Sequence, residues 1–153
     1  MNKWVKLIIA ILFCQLAGVF GSIFTSSSIR TWYVELQKPF FTPPNWIFGP
    51  VWITLYTLMG IALYLVWDKK DRVSISIFGF QLILNALWSL LFFGMQNPLY
   101  GLVEIIILWF AILITIVRFY KIDKKAGLIL LPYILWVSIA TALNYYIWIL
   151  NSL

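Results

Sequence analysis

Of 153 residues, 63% are hydrophobic and 10% charged, against roughly 45–50% and about 25% in a soluble domain. Such a chain cannot clothe a water-soluble surface, and it reads as an integral membrane protein. Its 11 Lys and Arg, 5 Asp and Glu, single Cys and absence of His exclude an internal disulfide and His-dependent catalysis, and no Cys, Asp or Glu cluster has metal-ligand spacing.

Five apolar segments, about residues 7–24, 46–67, 73–95, 99–120 and 127–150, have the length of about 18–25 residues that crosses a hydrocarbon core as a helix. They predict an all-α, five-transmembrane-helix bundle forming one membrane domain over residues 1–153. Five spans put the termini on opposite sides. One side then holds Lys3, Lys6, Lys69, Lys70, Arg72, Arg118, Lys121, Lys124 and Lys125, and the other only Arg30 and Lys38. The positive-inside rule places the N-terminus in the cytoplasm and the C-terminus outside. The basic residues are topology signals, not nucleic-acid contacts.

The first segment exceeds the 7–15 apolar residues of a signal h-region and lacks a convincing cleavage site, so it reads as a retained helix. Ala10, Cys14, Gly18 and Ser22 recur every fourth residue, a small-residue stripe suited to packing within the bundle or to a dimer face. Thr25 to Ser28 should end this helix and open a lid loop of about residues 25–45, with a short interfacial helix over residues 30–38. Trp32 and Tyr33 suit the headgroup level. Ordered loops of this length are usually functional, and this one is expected to fold over the bundle mouth.

The second span follows a proline-punctuated approach. Pro39, Pro43 and Pro44 should make it stiff and extended. Asn45 can cap the helix, and either Pro50 strains the first turns or the regular helix begins at Gly49-Pro50. Trp52, Tyr56 and Met59 then share one face. In the third span Asn85, Trp88 and Phe92 do the same. Asn97-Pro98 supplies an N-cap and N1 proline for the fourth, which carries Glu104 about two turns inside. A carboxylate there is costly unless paired, protonated or able to reach the interface. Pro132 should kink the fifth span, beyond which Trp136, Ala140 and Asn144 share a face.

Each of these faces pairs flat aromatic area with an amide. Asn85 and Asn144 could satisfy each other across the bundle. Alternatively, the aromatics are core or interface anchors. Together they describe an apolar, aromatic, sparsely polar pocket, the character of a small-molecule site.

Three stretches carry a resemblance: KPFFTPPNWIFGPVWITLYTLMG (residues 38–60), LNALWSLLFFG (84–94) and PYILWVSIATALNYYIW (132–148). In that order, they resemble the translocator proteins, also called peripheral-type benzodiazepine receptors, whose bacterial members are the tryptophan-rich sensory proteins. The resemblance implies a five-helix bundle, often a homodimer, with membrane lipids around it. It also implies a cavity opening toward the first loop that binds tetrapyrroles such as protoporphyrin, and benzodiazepine- and isoquinoline-type ligands. Carried over by motif, Trp52, Asn85 and Trp136 line the cavity, Tyr33, Pro43 and Pro44 close it, and Ala140 leaves room for the ligand. Tyr56, Trp88 and Asn144 join them from the helical faces above. Glu104 matches an acidic position usual in the fourth helix.

Two departures stand out. Phe41 occupies a position commonly held by a Trp proposed to act in porphyrin photochemistry, which weakens an enzymatic reading. No basic residue follows Tyr145 and Tyr146, so the cholesterol pattern of the animal members is broken. No cofactor is required. A porphyrin ligand would bind by stacking and burial, since only Met59, Met95 and tyrosines remain as axial ligands for iron. Arg30 and Lys38, the only cations on the lid side, are candidates to meet its propionates. The function implied is a tetrapyrrole-binding sensor or regulator, with a porphyrin transporter or a light-dependent porphyrin-degrading enzyme as alternatives. Neither internal repeats nor paired broken helices favour the transporter.

Overall fold

The structure, a computed structural model, describes residues 1–152. Five long apolar stretches cross the molecule: α1 (Lys3–Ser28), α2 (Phe48–Trp67), α3 (Arg72–Ser89), α4 (Pro98–Ile122), and a fifth span divided into α5 (Lys124–Ile129) and α6 (Leu131–Asn151). No strand occurs among the described residues. The chain is therefore an all-helical membrane bundle, as its hydropathy predicts. With lipid unable to satisfy backbone polar groups, helices that bond internally are the form such a chain must take.

Helix ends follow local chemistry. Asn2 accepts from the Trp4 backbone N–H at 2.7 Å and starts α1. That helix runs four residues past the predicted stop, because its hydroxyls bond back to the preceding turn and do not break it: Ser22 donates to the Val19 carbonyl, Thr25 to Gly21 and Ser27 to Phe24. Asp71 caps α3, and Asn97 caps α4 with Pro98 in its first turn. Asn45, by contrast, does not cap α2. It lies in a 3-10 turn (Asn45–Ile47) that leads directly into Phe48. Pro50 is then the third residue of α2, where its missing N–H leaves no bond unmade. Pro132 ends up in the first turn of α6, so the expected kink is a break at Leu130 between two helices.

The spans form a ring. α1 packs on α2 and α3, α3 on α4, α4 on α5 and α6, and α2 on α5. At the basic end, where Lys6 pairs with Asp68 and Arg118 with Asp71, the ring is closed tight. Phe78 stacks on Phe119 at 5.6 Å. Gly60 faces α1 so closely that a Cβ there would lie 2.5 Å from the Ile11 Cα. At the other end α2 and α6 meet through the rings of Phe48 and Trp136.

The loop joining α1 to α2 covers that end. The expected helix over residues 30–38 is only a 3-10 turn (Tyr33–Glu35), after which Leu36 is extended and Pro44 extended at φ −64°. The fold of the loop is held by specific bonds: Lys38 Nζ donates to the Tyr33 and Leu36 carbonyls at 2.8 and 3.0 Å. Gln37 and Asn151 exchange a reciprocal pair at 3.0 and 2.9 Å, tying the loop to the end of α6.

Candidate functional site

Between the lid and the closed half of the bundle lies a cavity of about 450 Å³, within the range of about 300–1,000 Å³ usual for small-molecule sites. Its walls come from α1, α2, α3 and α6, and its roof from the lid. Trp52 and Tyr56 are stacked one turn apart on α2, with ring centroids 5.6 Å apart. Trp136, one face of α6, meets Phe48 edge-on, and Ala140 one turn later leaves the space beside it open.

The α3 wall rests on an irregularity that the sequence did not announce. After Ser89 the helix widens into a π turn (Leu90–Gly94), with the Met95 N–H bonded five residues back to Leu90. The extra residue per turn brings the consecutive Phe92 and Phe93 both inward, 2% and 5% exposed. Such turns recur at functional sites. Trp88 stacks on Phe92 at 5.0 Å, and Ser28 at the end of α1 donates to the Phe93 carbonyl at 2.6 Å, pinning the turn.

Amide side chains set the polar points. Asn144 accepts from the Trp88 indole at 3.0 Å and donates to the Pro98 carbonyl at 2.7 Å. Asn85 accepts from the Tyr56 hydroxyl and donates to the Tyr133 hydroxyl at 2.7 Å, which donates in turn to Gln81 Oε1 at 2.7 Å. The two asparagines do not bond each other; each finds aromatic partners instead. Asn45 lines the roof.

Tyr33 belongs to the roof. It is only 2% exposed, packed among Phe48, Phe92 and Phe93. Its hydroxyl has no hydrogen-bond partner among the described residues, and burial pushes it up to about 12. Of the other residues marked from the sequence, Pro43 lines the cavity and Pro44 does not. Arg30 is exposed and away from the lining, and Lys38 is occupied with the lid carbonyls, its ammonium lowered by partial burial. Met59 is fully buried and Met95 is exposed; neither reaches the cavity. Glu104 is buried with both carboxyl oxygens unpartnered among the described residues, and also lies outside the lining. It neither pairs nor reaches the interface.

The wall missed from the sequence is α1. Gln15, Gly18, Val19, Gly21, Ser22 and Ser26 all face the cavity. Gly18 admits the Tyr56 ring, which a Cβ would meet at 2.7 Å, while Ala10 and Cys14 are fully buried in the bundle. The small-residue stripe thus serves packing at one end and the cavity at the other. Exposed residues Val19 and Ser22 on α1, with Gly49 and Ile53 on α2, form the rim. Below it, Gln15 Nε2 donates to the Ile53 carbonyl and to Thr57, clamping the two helices.

Residues 10–149 match the family model described as the TspO/MBR family. The chain is 52% identical over 151 residues to the tryptophan-rich protein TspO of Archaeoglobus fulgidus, covering 96% of this chain and 97% of that one. It is 44% identical to the tryptophan-rich protein TspO of Chlorobaculum tepidum, covering 99% of each. To the human translocator protein it is 38% identical over 134 residues, 84% of this chain and 79% of the other.

Proposed function

The chain belongs to the TspO/MBR family of membrane sensory and translocator proteins, and on that premise we propose that it is a membrane-embedded tetrapyrrole-binding sensor or regulator. The same cavity would take benzodiazepine- and isoquinoline-type ligands. The observation that carries this reading is the cavity itself, about 450 Å³, walled by Trp52, Trp88 and Trp136, with amides as its polar points. Flat aromatic walls favour offset stacking on a planar conjugated ligand. The rim between α1 and α2 suits a macrocycle entering edge-on, with its substituents left outside. No Met lines the cavity, which leaves the Tyr33 and Tyr56 hydroxyls as the remaining candidates for axial ligation of iron.

The protein would work in a bacterial cell membrane with its N-terminus cytoplasmic and its C-terminus outside, among lipids and as a homodimer. The exposed apolar face of α1, which includes Leu12 and Leu16, suits lipid or a second copy. Titrating purified protein in lipid nanodiscs with protoporphyrin, read by quenching of tryptophan fluorescence, tests the reading. Saturable quenching that is lost in Trp52→Ala supports it; unsaturable quenching that survives the substitution refutes it. Flux across sealed vesicles and product analysis in light and darkness would separate a sensor from a transporter or a degrading enzyme.

A further inference from the structure

The cavity wall is backed by a chain of four buried side chains from three helices. Tyr56 on α2 donates to Asn85 Oδ1, Asn85 Nδ2 on α3 donates to the Tyr133 hydroxyl on α6, and that hydroxyl donates to Gln81 Oε1 on α3. Tyr56 and Asn85 line the cavity, whereas Tyr133 and Gln81 lie behind it. The four are 5%, 3%, 1% and 1% exposed, so bulk water is largely kept from these bonds. The last member is left half-used: Gln81 Nε2 is buried without a partner among the described residues.

That loose end matters because of the chemistry of the links. Each tyrosine hydroxyl both donates and accepts, and each amide exchanges donor for acceptor when it turns over. In an amide, the oxygen and nitrogen positions are assigned from the network around them. Turned the other way, Gln81 Nε2 donates to Tyr133, Tyr133 donates to Asn85 Oδ1, and Asn85 Nδ2 donates to the Tyr56 oxygen. The Tyr56 proton is then released to the cavity. Both directions make the same three bonds inside the chain, and both leave one Gln81 amide atom unpartnered. No proton changes its parent atom. The Tyr56 ring, seated against Gly18 and stacked on Trp52, does not need to move.

We propose that this chain is a reversible polarity device, with Tyr133 and Gln81 as positioning residues that let one cavity accept ligands of opposite hydrogen-bonding character. In the direction seen here, the Tyr56 proton is committed to Asn85 and its oxygen is open to a ligand N–H or O–H. In the reversed direction, the Tyr56 hydroxyl donates to a ligand carbonyl or ring nitrogen. This rests on the cavity being the ligand site, and it explains how a wall with few polar atoms can serve chemically unlike ligands.

The test uses three tricycles of one shape: carbazole, which offers an N–H; fluorenone, which offers a carbonyl; and fluorene, which offers neither. Binding is measured in lipid nanodiscs with empty nanodiscs subtracted. Gln81→Leu removes the acceptor for the Tyr133 proton, whose remaining acceptor is Asn85 Oδ1. The chain is thereby locked in the direction that presents the Tyr56 proton to the cavity. The ratio of fluorenone to carbazole affinity should rise about fivefold, the size of one neutral hydrogen bond, with fluorene unchanged. Gln81→Met, closer in shape, should do the same. On a Tyr133→Phe background, which cuts the link, neither substitution should move the ratio. An unchanged ratio in both Gln81 variants while fluorene still binds overturns the device and leaves the cavity reading standing. A shift that persists without the Tyr133 hydroxyl also overturns it. Failure of the wild-type protein to bind any of the three overturns the device, while saturable protoporphyrin quenching decides the cavity reading separately.

Discussion

At the basic end of the bundle, Gly60 presses on the Ile11 backbone, Ala10 and Ala62 are fully buried, and Phe78 lies flat on Phe119. At the lid end, Trp52, Trp88 and Trp136 stand around open space, and the polar groups among them bond in pairs across the gaps. The same spans build both. Small residues draw backbones together where nothing is to be bound, since in lipid close packing is a principal force between helices. Large flat residues, braced by hydrogen bonds, hold the helices apart where something is. A protein of this kind gains its binding site by keeping the helices around the cavity apart at one end, while neighbouring pairs there, such as Gly94 against Phe24, stay close.

The contrast can be broken most severely from the closed end. Gly60→Val forces two helix backbones apart, and overpacking of this kind costs about 3 kcal/mol. Thermal unfolding in detergent should occur at markedly lower temperature. Whatever fraction remains folded should bind ligand with affinity near that of the parent, because the cavity is built from other residues. A variant of normal stability would show that the closed half is not what holds the bundle.

Removing a wall at the open end should give the opposite pattern. Trp52→Ala or Trp136→Ala should weaken porphyrin binding by about 2 kcal/mol, roughly thirtyfold, with little change in unfolding. Trp4, largely exposed on α1, and Trp109, bonded to Ser138 at 2.8 Å on the outer side of α4 and α6, are the controls. Alanine at either should leave affinity unchanged. Equal losses at all four positions would mean that aromatics anchor the bundle generally and the two halves do not differ as described.

A smaller effect tests the roof. The Tyr33 hydroxyl is buried with no protein partner among the described residues, and a ligand that shifts the roof and brings an acceptor would complete it. Tyr33→Phe should lower the affinity of such a ligand about fivefold, by about 1 kcal/mol. A ligand without an acceptor should bind the variant at least as well. Identical effects on both, measured by titration, would assign the hydroxyl no part in recognition.

The asymmetry between the halves was only partly legible in the sequence. Spans, basic loops, the Asn97-Pro98 start and the aromatic faces of α2, α3 and α6 follow from hydropathy and helical spacing, which are local. The role of α1 was hidden because Gly18 and Ser22 in a stripe look the same whether they meet a helix or a cavity; only the position of Tyr56 decides. The π turn after Ser89 has no residue signature, since it is fixed by the Ser28 bond and the packing of Phe92 and Phe93. The lid forms only a 3-10 turn within residues 30–38, because Lys38 folds it back through carbonyl contacts that a linear pattern does not carry.

The smallest effect concerns the two lid cations, and the structure separates what the sequence treats alike. Lys38 spends its ammonium on the Tyr33 and Leu36 carbonyls and lies 4.7 Å from the Tyr33 ring centroid. Lys38→Gln should therefore loosen the roof and weaken charged and neutral ligands by the same amount, under about 1 kcal/mol. Arg30 is exposed and forms no ion pair among the described residues. Its guanidinium can still reach for a propionate left outside the rim, an attraction of at most about 1 kcal/mol that salt screens. Arg30→Gln should weaken protoporphyrin binding slightly at low salt, not at high salt, and should leave a neutral isoquinoline carboxamide untouched. Titration of both ligands against each single variant at two salt concentrations checks this. A salt-dependent, porphyrin-only loss at Lys38 in place of Arg30 would show that the lid lysine leaves its carbonyls to read the ligand's charge, and that the roof is less rigid than its bonds imply.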